Sequence, residues 1–148
     1  MTEKVLIHSN LYTGNEHIAD GFIRFTDKII ETGKMADYRP KVGEEVIDGK
    51  GMTTIPGMID VHIHGGYGID AMDADPEALV TLSQKLRQEG VTSFFATTMT
   101  QDYGKIEAAL RAVKAAKEKG GTTIEGIHLE GPFVSKKRAG AQPLEYIK

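Results

Sequence analysis

The sequence predicts an α/β protein: the N-terminal part of a (β/α)8 TIM-type barrel, preceded by a small β-sheet domain. Two observations carry this prediction. Before Pro56, short β-rich segments are separated by turn residues, and after it strand-like and helix-like segments alternate. Because successive βα units form a parallel sheet with right-handed crossovers, the second part is either an open sheet or the beginning of a barrel.

The first domain, residues 1–55, is predicted to be a small antiparallel sheet. Turn residues such as those at 26–28 and 49–51 separate its strands. The predicted strands are residues 5–8, 21–25, 29–32 and 45–48.

The second domain, residues 56–148, is predicted to contain three βα units. Pro76 is predicted at the first position of the first helix, where proline is tolerated. Gly90 is predicted to end the first helix and Gly120 the second. The predicted strands are residues 55–64, 91–100 and 123–130, and the predicted helices are residues 75–90 and 102–120.

Polar residues at two strand ends indicate a metal site. His62 and His64 are two positions apart on a strand, so their side chains point to the same face. Glu130 adds a carboxylate, and imidazole with carboxylate suits zinc, iron or manganese. Residues 65–66 end the first of these strands and residues 131–132 end the other. The polar side chains are then left at an opening that solvent and substrate can enter. The alternative is a pair of histidines that are exposed or satisfied in the core.

The position of these ligands favours the barrel. Barrel enzymes place their chemistry at the carboxyl ends of the strands, although an open sheet also binds ligands there. The glycines at 65–68 lack the spacing of a dinucleotide fingerprint and have no P-loop lysine, which removes the usual reason for the open form.

Composition excludes several classes of function. The 148 residues carry a formal net charge of −3, which gives no electrostatic footprint for nucleic acid. We expect no membrane association, because no stretch approaches the ~20 apolar residues of a transmembrane helix. The chain has no cysteine and begins without a signal-peptide pattern, so we expect a cytoplasmic protein.

Two segments resemble a known family. Residues 56–66, Pro-Gly-Met-Ile-Asp-Val-His-Ile-His-Gly-Gly, resemble the first barrel strand of the amidohydrolase superfamily. Residues 126–133, Gly-Ile-His-Leu-Glu-Gly-Pro-Phe, resemble the narrower signature of N-acetylglucosamine-6-phosphate deacetylases, and the loop at 137–143 also fits that family. The resemblance covers essentially the whole chain.

The resemblance implies hydrolysis of the acetamide of N-acetylglucosamine 6-phosphate to glucosamine 6-phosphate and acetate. It implies a divalent metal, zinc or iron, with one or two ions per site. By this similarity Glu130 is a metal ligand, His62 and His64 would hold a second ion, and Ala141 and Gln142 contact the sugar. The implied partner is a small amino-sugar phosphate, and the implied assembly is a homo-oligomer, a dimer for the full-length protein.

The family's remaining site residues have no counterpart here. Two further metal-binding histidines and the aspartate that serves as general base and acid lie beyond residue 148, so we predict no catalytic residue within this chain. A barrel needs about 250 residues, and only three strands of eight are predicted. The first domain is then part of a β-sandwich that lacks its C-terminal strands. We expect an N-terminal portion that is not catalytically competent alone.

Two other functions remain open. The first is another metal-dependent amidohydrolase, a cyclic amidase or nucleobase deaminase. The second is a non-catalytic fragment that associates with its own kind through exposed strand edges.

Three further features have two interpretations each. His128 either supports a ligand or is structural, and Asp60 either orients a histidine or is a buried structural group. The basic residues 136–138 either attract the sugar phosphate or form a solvated loop.

Overall fold

The chain divides into two compact units, Met1–Pro56 and Gly57–Lys148, in a computed structural model that describes residues 2–120 and 122–148. The division falls one residue after the position at which the sequence pattern changes. None of the described helices combines the length and apolar character needed to cross a membrane.

The first unit is a mixed five-stranded sheet. Its strands are β1 (Lys4–Tyr12), β2 (His17–Phe25), β3 (Ile29–Lys34), β4 (Glu45–Asp48) and β5 (Thr53–Thr54). The order is β3-β2-β1-β4, and β5 pairs with another part of β1. β1 pairs antiparallel with β2 but parallel with β4 and β5. The prediction of a purely antiparallel sheet is therefore wrong. The long connection between β3 and β4, which includes the 3-10 helix Met35–Asp37, brings the chain back to β1 in the same direction.

Strand β1 is longer than its sequence pattern predicts. It continues past His8, which has φ of 52°, and its register with β2 shifts between Leu6 and Ser9. Such a bulge interrupts the alternation of apolar and polar residues, which is why the pattern stops at His8. The buried apolar side chains of this unit are Val5, Leu11, Ile18 and Phe22.

A buried guanidinium organises one end of this sheet. The Arg24 side chain is 2% exposed and its Nε lies 2.9 Å from Glu44 and 3.3 Å from Glu3. Its Nη1 also contacts Glu31. Since a buried charge is costly unless it is paired, these carboxylates make the burial of Arg24 tolerable.

The pKa of Glu44 is lowered to about 2. The largest cause is the hydrogen bond that the Tyr38 hydroxyl donates to it at 2.6 Å, whereas burial of the carboxyl acts in the opposite direction. The backbone N–H of Lys41 and the Arg24 guanidinium lower the pKa further. Glu44 is thus held as a carboxylate in the folded protein.

The second unit is built around a parallel sheet in which β9 (Val91–Thr97) lies between β10 (Ile124–His128) and β6 (Met58–Ile63). A short hairpin, β7–β8, follows β6. The 3-10 helices Ala71–Asp73, Lys136–Arg138 and Leu144–Tyr146 lie in its connections. The elements are β6 (Met58–Ile63), β7 (Gly65–Gly66), β8 (Ile69–Asp70), α1 (Pro76–Gln88), β9 (Val91–Thr97), α2 (Tyr103–Glu118) and β10 (Ile124–His128).

Both helices begin one residue after the predicted start, and the aspartate before each helix caps it. The Asp75 side chain accepts hydrogen bonds from the backbone N–H groups of Glu77 and Ala78, and Pro76 occupies the first helical position. The Asp102 side chain accepts from the N–H of Lys105 at the start of α2. The helix ends lie two residues before Gly90 and Gly120, which both have positive φ.

The core of this unit lies between the helices and the sheet. Strand β9 is central, and both of its neighbours pair with it in parallel. The fully buried apolar side chains include Leu79, Leu82, Phe94, Val113 and Ala116. This core fixes the ends of the three strands, and with them the polar residues that follow.

Candidate metal centre

The three predicted metal ligands lie together at the carboxyl ends of two strands. His62 is the penultimate residue of β6, His64 follows that strand directly, and Glu130 follows β10 by two residues. Because β6 and β10 both run parallel to β9, their carboxyl ends are at the same edge of the sheet. The topology therefore brings together residues that are 66 or 68 positions apart.

The distances suit the coordination of one ion. Nε2 of His62 is 2.9 Å and Nε2 of His64 is 3.2 Å from the same atom, Oε2 of Glu130. One donor atom from each residue can be chosen so that all three lie within 4.8 Å of one another. Donors that are each ~2.1 Å from a zinc ion are ~3.0 to 3.4 Å apart at right or tetrahedral angles. These residues therefore fit a divalent metal ion.

The Glu130 carboxylate is anchored on the side away from the histidines. The Gln142 side-chain amide donates to Oε1 of Glu130 at 2.5 Å, and its oxygen accepts from the backbone N–H of Thr100 at 3.0 Å. The backbone N–H of Glu130 donates to the Thr98 hydroxyl at 3.1 Å. Oε1 is thus engaged, and Oε2 faces the two histidines.

The histidine rings are held through their other atoms or their neighbours. Nδ1 of His64 lies 3.2 Å from the carbonyl oxygen of Thr97, so a proton on Nδ1 leaves Nε2 as the donor to a metal. The ring of His128 lies 4.4 Å from that of His62, and its Nδ1 contacts the carbonyl oxygen of Val61 at 2.9 Å. His128 therefore packs beside a ligand while its Nδ1 bonds to the backbone.

Asp60 and Asp70 are carboxylates near the site that serve local structure. Asp60 accepts a hydrogen bond from the backbone N–H of His62 at 3.0 Å. Asp70 accepts from the N–H of Met72 at 2.8 Å and caps the 3-10 helix that follows β8. Asp60 thus shapes the main chain at His62, and the contact is to its backbone.

A cavity of about 640 Å³ opens beside two of the three proposed ligands, His64 and Glu130. Both residues predicted to contact substrate, Ala141 and Gln142, line it. Of the basic run at 136–138, only Arg138 is among the lining residues. The lining also includes His64, Asp70 and Glu130.

Sequence reasoning missed Thr98 and Thr100, which connect β9 to the site. Both side chains are fully buried. The available signal was the polar run Thr97-Thr98 and Thr100 at the carboxyl end of an otherwise apolar strand. Such residues at a barrel edge are well placed to support ligands from neighbouring strands.

The sequence model of the amidohydrolase family matches residues 53–147. This chain belongs to the amidohydrolase family. Amidohydrolases are metal-dependent, which agrees with the donors found in this chain.

Two curated relatives share one description. This amidohydrolase is 47% identical over 156 aligned residues to an N-acetylglucosamine-6-phosphate deacetylase of Bacillus subtilis (strain 168), covering 100% of this chain and 39% of the relative. It is 41% identical over 126 residues to an N-acetylglucosamine-6-phosphate deacetylase of Lysinibacillus sphaericus, covering 82% of this chain and 33% of that relative. The chain therefore spans about two fifths or less of the length of these relatives.

A solved structure shows the same fold. The N-acetylglucosamine-6-phosphate deacetylase from Pasteurella multocida superimposes with a TM-score of 0.89 at 22% identity, covering 99% of this amidohydrolase chain and 38% of that protein. The matched region is the N-terminal part, a β-rich domain followed by the first part of a TIM barrel. The predicted fold class is confirmed.

Proposed function

We propose that this amidohydrolase chain provides metal ligands and substrate contacts for hydrolysis of the acetamide of N-acetylglucosamine 6-phosphate, which gives glucosamine 6-phosphate and acetate, and that the chain is not competent alone. The observation that carries the proposal is one oxygen of Glu130 within 3.2 Å of two imidazole nitrogens beside an open cavity. The 47% identity to the Bacillus subtilis deacetylase over the full chain supports the choice of substrate.

His62, His64 and Glu130 would hold a divalent ion, zinc or iron. When bound, such an ion polarises the acetamide carbonyl and lowers the pKa of a coordinated water toward ~7. Two imidazoles and one carboxylate leave a position open for water or substrate, which is typical of catalytic sites. Three donors suffice for one ion, and a second ion would need donors in addition to this cluster.

Hydrolysis needs a proton transfer that we assign to no residue of this chain. Water adds its oxygen to the acetamide carbon, the C–N bond breaks, and the departing amine takes a proton. The family resemblance gives that role to an aspartate that has no counterpart in this chain. The described residues then contribute ligand positioning and substrate binding.

Arg138 is our candidate for contact with the sugar phosphate. It is exposed and lines the cavity, and no salt bridge to a carboxylate is found for it within residues 2–120 and 122–148. A guanidinium can bind phosphate through two parallel hydrogen bonds. Ala141 and Gln142 lie further along the same loop, where they are proposed to contact the sugar.

The test is acetate release from N-acetylglucosamine 6-phosphate with zinc or iron supplied. We would assay this chain and a chimera in which it replaces the matching part of the Bacillus subtilis deacetylase. The chimera is expected to release acetate, its Glu130→Gln variant to lose nearly all activity, and the chain alone to release none. A folded chimera that binds metal but releases no acetate would contradict the proposal.

The same assay separates the alternatives. Turnover of a cyclic amide or a nucleobase, without acetate release from the sugar phosphate, would favour another amidohydrolase reaction. Light scattering measures the oligomeric state, and therefore tests both the proposed homo-oligomer and the alternative of a fragment that associates with itself. The cytoplasmic location stays a prediction.

A further inference from the structure

We propose that Gln142 is a positioning residue for Glu130, which selects the carboxylate oxygen that faces the metal. This role differs from the sugar contact that sequence resemblance implies. It rests on the proposed metal centre, because it concerns how one ligand of that centre is held.

The hydrogen bonds fix the orientation of the Gln142 amide. A side-chain amide has one oxygen that accepts and one nitrogen that donates. The backbone N–H of Thr100 can only donate, so it requires the oxygen of Gln142 at 3.0 Å. The nitrogen must then point the other way, where it donates to Oε1 of Glu130 at 2.5 Å.

Thr100 provides a fixed support for this bridge. Its side chain is fully buried, and it follows the central strand β9 by three residues. Two residues earlier, the buried Thr98 hydroxyl accepts the backbone N–H of Glu130. Residues 98–100 therefore hold Glu130 at two points, its main chain directly and its carboxylate through Gln142.

The consequence is a carboxylate whose two oxygens have different partners. Oε1 is engaged by Gln142, while Oε2 lies 2.9 and 3.2 Å from the histidine nitrogens. Rotation about the last torsion of glutamate has little intrinsic preference, so without the bridge the two oxygens would exchange freely. Loss of such a supporting contact typically weakens metal binding about 10- to 100-fold.

The experiment is a zinc titration of the metal-free chain against a chromophoric chelator, without any sugar. A residue that only contacts sugar does not change this affinity. Gln142→Met keeps the length of the side chain and removes both hydrogen-bonding groups. Gln101→Met is the matched control, because within residues 2–120 and 122–148 the side chain of Gln101 accepts a hydrogen bond from the N–H of Asp102 at 3.1 Å and has no contact with a proposed ligand. Glu130→Gln removes the charged ligand itself.

We expect Q142M to weaken zinc binding about 10- to 100-fold and Q101M to leave it unchanged. If Q142M loses cooperative unfolding, Q142N replaces it, because asparagine is one methylene too short to bridge Thr100 and Glu130. With Co²⁺, whose visible absorption weakens as its coordination number rises, Q142M is expected to give a weaker band per bound ion, since the freed carboxylate can offer both oxygens.

The failures of the two proposals are distinguishable. Wild-type zinc affinity in folded Q142M, beside lost affinity in E130Q, would overturn the role of Gln142 and leave the metal centre intact. No zinc binding by the wild-type chain would overturn the metal centre and this role with it.

Discussion

Gly131 directly follows the proposed metal ligand Glu130 and packs against Thr100. Its φ is +71°, and a Cβ added to it would be 2.1 Å from the hydroxyl oxygen of Thr100 and 3.0 Å from the Cα of that residue. Ordinary contacts of this kind begin near 3.4 Å, so alanine would require a separation of about 1.3 Å more. Since Thr100 is fully buried, most of that shift falls on residues 130–131.

The expected cost of Gly131→Ala has two parts. The left-handed backbone costs about 1–2 kcal/mol for a residue with a side chain. A shift of about 1 Å would also stretch the 3.1 Å bond from Glu130 to Thr98 beyond hydrogen-bond distance, which adds about 1 kcal/mol. We expect a loss of unfolding free energy of about 2–3 kcal/mol, and a zinc affinity at least about tenfold weaker because the ligand is displaced.

Gly140→Ala is the matched control for the backbone term. Gly140 lies in the same loop region with φ of +60°, but nothing lies within 4 Å of the position that an added Cβ would take. The variant should lose only the backbone contribution of about 1–2 kcal/mol and keep the wild-type zinc affinity. Urea unfolding and chelator competition measure both quantities for the two variants. Equal unfolding free energies and equal zinc affinities in G131A and G140A would refute the reasoning.

Three further predictions concern the cavity, the ligand pair and the first unit. In an active chimera, Arg138→Ala should raise KM for the sugar phosphate about tenfold or more because a charged contact is lost, whereas Lys137→Ala, outside the cavity lining, should not; equal KM values would contradict the phosphate contact. Replacing His62 and His64 together by asparagine should lower the zinc bound per chain, measured by elemental analysis, and unchanged stoichiometry would show that the pair is not used. The pKa of Glu44 is lowered from 4.5 to about 2, and the largest cause is a hydrogen bond from a tyrosine hydroxyl. The stabilising contribution of the Glu44 carboxylate is therefore complete above pH 4.5 and is lost as the pH falls toward 2. The difference in urea-unfolding free energy between wild type and Glu44→Gln should accordingly shrink on acidification, and a constant difference would contradict the lowered pKa of Glu44.

The clustering of the three proposed metal ligands could be predicted from sequence because their positions obey local rules. His62 and His64 share a face through the two-residue period of a strand, and Glu130 follows a strand that glycine and proline end. Parallel βα topology then places both at one edge of the sheet. No long-range information was needed beyond the order of strands and helices.

The supporting contacts could not be predicted in the same way. The bridge from Thr100 through Gln142 to Glu130 depends on the path of the loop after β10, which has no periodic pattern. In the first unit, the bulge at His8 interrupts the two-residue alternation of apolar and polar residues, so the pattern does not predict the second half of β1. The parallel pairing of β4 with β1 likewise depends on a connection whose direction the strand pattern does not encode.

The central claim is that His62, His64 and Glu130 hold one divalent ion together. Crystals of this chain grown with zinc, with anomalous diffraction recorded on both sides of the zinc absorption edge, test it most directly. The account predicts an anomalous peak ~2.0 to 2.2 Å from Nε2 of both histidines and from Oε2 of Glu130. An anomalous peak from a zinc ion bound elsewhere on the chain, with these three side chains bonded only to one another, would contradict it.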